Sequence, residues 1–208
     1  MRPTRAIGAF YRDRILPPLL HATMSQERFT AYRRRLVSAA EGRVLEIGLG
    51  SGLNLPFYPA RVTNILGLDP SAALLSRVRV DGAPPVILLK GSGEHIPLER
   101  ASVDTVVVTW TLCSVPHAPA ALGEIRRVLR PTGRLLFVEH GLAPDLRVAR
   151  WQRRLTPLWK RVAGGCHLDR PVDRLIVDAG FRLEQLETGY MPGPRPMTFM
   201  YEGSARPL

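Results

Sequence analysis

Residues 43–54 read RVLEIGLGSGLN. An apolar run ends in an acid, Glu46, and glycine then takes every second position at Gly48, Gly50 and Gly52. A β-strand that turns through glycines brings bare backbone N–H groups close to a ligand, because no Cβ stands between them. The dinucleotide fingerprint is G-x-G-x-x-G. Here the spacing is G-x-G-x-G, with Leu53 where the third dinucleotide glycine would stand. The next strand-like run closes on a second acid, Asp69, in GLDPS. A carboxylate there can accept hydrogen bonds from both hydroxyls of a ribose. The competing reading is a plain βαβ turn with a surface aspartate. Taken together, the strand, the glycine loop and the second acid favour a nucleoside-binding βαβ unit.

Outward from this loop the chain keeps the same rhythm. RVLEIG (43–48), VTNILGL (62–68), PVILLK (85–90), VDTVVVTW (103–110) and GRLLFVE (133–139) are β-rich runs with the near-continuous apolarity of parallel strands buried on both faces. SAALLSRVRV and PAALGEIRRVL between them carry helical periodicity. Alternating βα units predict an α/β fold, a doubly wound and mostly parallel sheet with helices on both sides. Beyond the fifth run, PDLRVARWQRRLTPLWKRVAGG is helical, with a break expected at Thr156-Pro157 and a new helix starting at Pro157. RPVDRLIVDAGF predicts a helix closed by Gly180. FRLEQLETGYM and PMTFMYEGSA, flanking PGPR, predict two antiparallel strands. Before the sheet, residues 6–41 predict a helical region. Its apolar stripe is interrupted at Pro17-Pro18, and a second helix starts near Ser25 and ends before Gly42. The expected organisation is therefore an N-terminal helical lid, 1–41, on a domain spanning 42–208.

The chain has 208 residues, 45% hydrophobic and 23% charged, which suits one globular core. No stretch approaches the roughly 20 uninterrupted apolar residues of a membrane span. The N-terminal stretch, with Arg12, Asp13 and Arg14 in its most apolar part, is too charged for a signal-peptide core, so a cytoplasmic location is expected. Cys113 and Cys166 are the two cysteines, which excludes a disulfide framework and a four-cysteine zinc site. Cys166 and His167 lack ligand partners at metal spacing, so no metal is expected. The formal charge of +11 comes almost wholly from arginine. It attracts anions, or else reflects arginines spread over solvated faces. Arg147, Arg150 and Arg154, with Arg153 and Arg161 nearby, lie beside Trp151, Leu155, Leu158 and Trp159. Such a helix either packs its apolar side on the sheet or rests peripherally on an anionic membrane. No aromatic-rich RNA-binding module accompanies it, which disfavours nucleic acid.

The E-x-G-x-G-x-G run from Glu46 to Gly52, with Asp69, resembles the cofactor loop of class I S-adenosylmethionine-dependent methyltransferases. The resemblance implies S-adenosylmethionine as cofactor and a seven-stranded sheet in the order 3-2-1-4-5-7-6 with strand seven antiparallel. It implies that Glu46, Gly48, Leu49, Gly50, Gly52 and Asn54 surround the methionine moiety, with Asp69 and Pro70 at the ribose. KGSGEHIPL (90–98) stands where the family often has G-D-A-E-x-L-P, which assigns Ser92, Gly93 and Glu94 to the adenine, with Ser92 in place of the usual aspartate. Thr109, at the end of the fourth run, is by the same likeness a further cofactor-binding residue. By the same likeness the N-terminal helix closes over the cofactor, with Tyr11 against its carboxylate. NLPFYP (54–59), LCSV (112–115), RVLRPTGRLLFVEHG (127–141) and WQRRLTPLWKRVAGGC (151–166) together resemble the thiol S-methyltransferase branch. That likeness implies a small thiol or sulfide as methyl acceptor. Bacterial lipid and quinone methyltransferases share much of the pattern, so N- or C-methylation of a lipid headgroup or quinone is the alternative, and an RNA-directed protein is the third reading.

A thiol with a pKa of about 8 to 10 holds little thiolate at neutral pH, so a base is useful. Glu139 and His140 stand at the end of strand five, the rim where open α/β sheets bind ligands. His140 is either that base or a cap on the loop, and His167 is the second candidate. Cys113 is expected to be a small core residue. Trp110 can wall an apolar acceptor pocket.

Overall fold

The computed structural model describes residues 10–208; residues 1–9, including the expected start of the first helix at residue 6, lie outside the described residues. Seven strands form one sheet: β1 (Gly42–Ile47), β2 (Val62–Asp69), β3 (Val86–Lys90), β4 (Val103–Thr109), β5 (Leu129–His140), β6 (Phe181–Tyr190) and β7 (Phe199–Pro207). Their order is β3-β2-β1-β4-β5-β7-β6, as expected. β1 to β5 run parallel, and β7 is antiparallel to both β5 and β6. Helices α1 (Leu16–Met24), α2 (Glu27–Val37), α3 (Ala72–Leu75), α4 (Ala118–Val128), α5 (Leu146–Val162), α6 (Val172–Asp178) and α7 (Arg195–Thr198) complete the fold, with a π-helical turn, Tyr11–Ile15, leading into α1.

Alternation along the central strands divides the core into two layers. Leu45, Ile47, Val106, Val108, Leu135 and Phe137 face α4 and α6 through Leu122, Ile125, Val172 and Ile176. Val44, Ile65, Val107, Leu136 and Val138 face the other way, onto Phe29, Leu36, Val37 and Ala40 of α2 and the residues following it. Thus α2 belongs to the core, and among the described residues the segment 10–24 precedes it. Winding reverses between β1 and β4, which opens a crevice at the carboxyl ends of these strands.

Several local expectations are corrected. Pro157 lies inside α5 rather than at the start of a new helix. A proline here removes one helical hydrogen bond, but the turn before it is anchored by side-chain bonds. Gln152 donates to the Gly141 carbonyl at 2.8 Å and accepts from the Ala143 N–H at 2.9 Å; the Thr156 hydroxyl donates to the Gln152 carbonyl at 2.8 Å and accepts from the Leu168 N–H. The helix expected over SAALLSRVRV shrinks to four residues, capped by the Ser71 hydroxyl, since none of the four is buried. β3 is an edge strand with Ile87 and Leu88 exposed, so burial on both faces fails there. The prolines at 17 and 18 begin α1 instead of interrupting it, and Gln26 rather than Ser25 precedes α2.

Candidate active site

The glycine loop is built by backbone geometry. Gly48, Gly50 and Gly52 have φ of +73°, +57° and +79°, the left-handed region that disfavours side chains. The N–H groups of Gly48 and Leu49 both donate to the Leu68 carbonyl, at 2.8 and 3.2 Å, which ties the loop to β2. Leu49 is buried and points beneath the loop toward Gly67. The Gly50 N–H donates to Asp69 Oδ2 at 2.9 Å, while Asp69 Oδ1 accepts from the Ser71 N–H at 2.8 Å. Burial raises the Asp69 pKa above the usual carboxylate value, opposed by these two bonds. A carboxylate has about four acceptor sites, so its remaining lone pairs are free for ribose hydroxyls. Pro70 beside it is exposed.

Glu46 has a different part from the one expected. It is 1% exposed. Asn54 Nδ2 donates to its Oε1 at 2.9 Å and the Tyr58 hydroxyl to its Oε2 at 2.7 Å. Asn54 Nδ2 also reaches Thr109 Oγ1 at 3.1 Å, which links β1, the loop and β4. Burial lifts the Glu46 pKa to about 7, with Tyr58, Asn54 and Arg33 pulling it back. Glu46 is therefore an internal anchor of the loop, not a ligand-facing acid. The buried Asn54 Oδ1 has no hydrogen-bond partner. Tyr58 and Arg33 escaped the sequence reading, because neither carries a local signature.

At the turn after β3, Gly93 packs closely on β1: a Cβ there would stand 2.9 Å from Ile47 Cγ2. Ser92 Oγ donates to Glu94 Oε2 at 3.1 Å, and Glu94 Oε1 accepts from the His117 N–H at 2.7 Å, just before α4. Glu94 thus ties the turn to α4, and an open groove beside it is lined by His95, Pro97 and Glu124. Tyr11 is also corrected. Its hydroxyl donates to the Val162 carbonyl at the end of α5, at 2.7 Å, and so is not directed at a cofactor carboxylate. The same N-terminal segment is tied to the glycine loop, through His21 Nδ1 and Ser51 Oγ at 2.7 Å.

On the far side of the crevice, Trp110 adopts φ +47°, an uncommon strain for an aromatic residue. It is wedged edge-on against Phe29 and Tyr32, with the Arg33 guanidinium over its ring. Burial lowers the Arg33 pKa to about 10, offset in part by Glu46. Glu139 is wholly buried and accepts from the N–H groups of Thr111, Leu112 and Cys113 at 2.6, 2.9 and 3.3 Å. It shapes the loop after β4, which removes it as a candidate acid or base. His140 is buried too, with Nε2 3.0 Å from Cys166 Sγ and Nδ1 without a partner. Trp159 Nε1 donates to the same sulfur at 3.3 Å. The neighbouring Cys166 and burial hold the Cys113 pKa well above the usual thiol value, while the same pairing lowers that of Cys166 against its own burial. His167 turns away: its N–H holds the Cys113 carbonyl at 2.7 Å, and its ring lies 3.9 Å from Asp169. Burial and then Arg170 lower its pKa. The partner brought to His140 is thus Cys166, and Cys113 is part of a polar cluster rather than plain core.

The residues fit S-adenosylmethionine. Gly50 faces space that a Cβ would enter, with the nearest atom, the Gly48 carbonyl oxygen, 3.9 Å away. Asp69 stands beside it with acceptor capacity to spare.

Comparison with known proteins agrees. Residues 45–137 match the family described as a methyltransferase domain. The chain is 34% identical over 197 residues to thiol S-methyltransferase TMT1B of Rattus norvegicus, covering 85% of this chain and 79% of that protein. It is 32% identical over 163 residues to a phosphatidylethanolamine N-methyltransferase of Cereibacter sphaeroides, covering 76% and 78%. A Thermotoga maritima structure, described as a possible histamine N-methyltransferase, shares the fold with a TM-score of 0.68 at 21% identity, over 93% of this chain and 96% of that one. From the glycine loop, the sheet order and these matches, the chain belongs to the S-adenosylmethionine-dependent methyltransferases.

Proposed function

We propose that the chain methylates a small thiol or sulfide. The observation that carries this reading is the composition of the acceptor side. Glu139, the acid at the end of β5, is consumed by three backbone N–H groups, which leaves sulfur and imidazole as the polar groups clustered there. An amine acceptor gains most from a free carboxylate, whereas a thiol is matched by soft, weakly polar surroundings and the Trp110 wall. The name of the Rattus norvegicus relative agrees with this reading.

S-adenosylmethionine supplies, when bound, a methyl group already activated on a sulfonium. The chain's own task is to hold donor and acceptor in line and to exclude water. Gly50 offers the close backbone approach, Asp69 accepts from the ribose, and the Ser92–Glu94 turn borders the adenine. The cluster of Cys113, His140 and Cys166 at the end of β5 borders the place where the acceptor sulfur would sit. Residues 10–24 act as a lid, since Tyr11 and His21 bridge the end of α5 to the glycine loop.

A second reading has one observation in its favour. Trp151 and Leu158 on α5 are 56% and 63% exposed, in a helix whose buried face is Val148, Ala149, Gln152 and Thr156. Together with the neighbouring arginines they form a surface suited to an anionic membrane, where a lipid acceptor would be met. No helix among the described residues is long and apolar enough to cross a membrane. Peripheral contact from the cytoplasmic side is the corresponding proposal.

An acceptor panel with labelled cofactor tests both readings. Sulfide and alkyl thiols should take the label as thioethers, and phosphatidylethanolamine and RNA should not. Label found in the lipid amine or in RNA, with none in any thiol, overturns the thiol reading.

A further inference from the structure

Three side chains far apart in the sequence meet at one buried point of the sheet's rim. Cys113 follows β4, His140 ends β5 and Cys166 follows α5. Their sulfur and ring-nitrogen atoms all lie within 4.8 Å of one another. Each residue is at most 8% exposed. Three independent contacts hold the group in place. Glu139 accepts from the Cys113 N–H, the His167 N–H donates to the Cys113 carbonyl, and the Trp159 indole donates to Cys166 Sγ.

Two thiols and an imidazole form the donor set of a thiophilic divalent cation, and three protein ligands with one open position is the arrangement of a catalytic zinc site. Zinc–sulfur and zinc–nitrogen bonds of about 2.3 and 2.0 Å place tetrahedral ligand atoms about 3.4 to 3.8 Å apart. His140 Nε2 and Cys166 Sγ, now 3.0 Å apart, would need to open by only a few tenths of an ångström. The cluster also borders the cofactor side. Thr111, two residues before Cys113, fills the space where a side chain at Gly48 would go.

We propose that Cys113, His140 and Cys166 bind a thiophilic divalent cation, zinc by its donor set, and that its fourth position takes the acceptor thiol as thiolate. The fourth position rests on the thiol-methylation reading; the three-ligand site does not. A thiol that coordinates such an ion is deprotonated outright. Its S–H bond breaks and the proton leaves to water. The sulfur lone pair then forms the new bond to the methyl carbon as that carbon's bond to the sulfonium breaks.

The test is a titration of reduced, metal-stripped full-length protein with Co²⁺. Wild type should bind one equivalent, with a thiolate-to-cobalt charge-transfer band and tetrahedral d–d bands, and Zn²⁺ should bleach both. Cys113→Ser and Cys166→Ser should each weaken binding by at least about tenfold. Because either variant can misfold, the wild-type thiols provide a second measurement: Zn²⁺ should slow their alkylation. No cobalt band together with no protection by zinc overturns the site, and so does an unaltered band in both variants when they are folded. Adding an alkyl thiol should intensify the charge-transfer band, and an unchanged spectrum overturns the open position. Full thiol methylation by metal-free enzyme overturns the activating role and leaves the proposed function standing. The expected cobalt signature without methylation of any thiol, metal-loaded or not, overturns the proposed function and leaves the three-ligand site standing.

Discussion

The two sides of the crevice are built in opposite ways. The cofactor side, β1 through the start of α3, uses nearly consecutive residues. Its shape comes from three left-handed glycines and from carbonyl and carboxylate acceptors on the neighbouring β2. The acceptor side uses residues 113, 140 and 166, whose meeting depends on β4 pairing with β5 and on α5 folding back over the rim. A site made from local backbone geometry leaves a pattern in the sequence. A site made from packing does not, because each contributor is ordinary among its own neighbours.

If this division holds, substitutions should separate cleanly by side. Asp69→Ala removes the proposed ribose acceptor and the tether of the Gly50 N–H together. It should weaken S-adenosylmethionine binding by about 2 to 4 kcal/mol, measured by calorimetric titration of a folded variant. Unchanged affinity would break the assignment of the cofactor side.

His140→Ala should act only on the other side. With the thiol that proves active, kcat/KM should fall by roughly 10²-fold while cofactor affinity stays within about twofold. A matching loss of cofactor affinity would show that the two sides are not independent.

Glu46 sharpens the comparison through stability. Its folded pKa of about 7 lies above the ordinary 4.5, so the folded state keeps a proton that the unfolded chain has released. The stabilisation tied to this proton is complete below the ordinary value and is lost as pH rises through about 7. Between about pH 5 and pH 8, wild type should lose up to about 3 kcal/mol relative to Glu46→Gln, read from urea midpoints. Parallel pH profiles for the two proteins would contradict the buried, anchoring role.

The smallest effect concerns the segment that spans both sides. Tyr11→Phe deletes one exposed hydrogen bond to Val162, of about 1 kcal/mol. Amide exchange over residues 10–24 should quicken about fivefold, and bound cofactor should slow it again. No change in either state would make the segment fixed scaffold.

Much of the fold was legible because it is periodic. The five apolar runs became β1 to β5, and the terminal pair became β6 and β7 in the expected order. The departures were places where tertiary contacts outweighed a local rule. Pro157 signalled a helix break, yet Gln152 and Thr156 anchor α5 before it, and Trp159 bonds Cys166 after it. The periodic stretch after Ser71 signalled a longer helix, but none of the residues in the short helix that forms is fully buried. Glu139 stands at a functional rim and bears the right group for proton transfer. Only the folded loop shows that its carboxylate is already taken by three N–H groups.

The sequence alone determined what depends on neighbours along the chain: the strands, the glycine turn and the acid that closes β2. Backbone sterics and side-chain alternation act over a few residues, so they can be read directly. The tertiary structure decided which of the polar residues at the rim remain available. It turned Glu46 and Glu139 inward, bonded Tyr11 to α5, and set Cys166 rather than His167 against His140. Such pairings follow from which buried polar groups find partners once the sheet and α5 are assembled. No spacing along the chain encodes that choice.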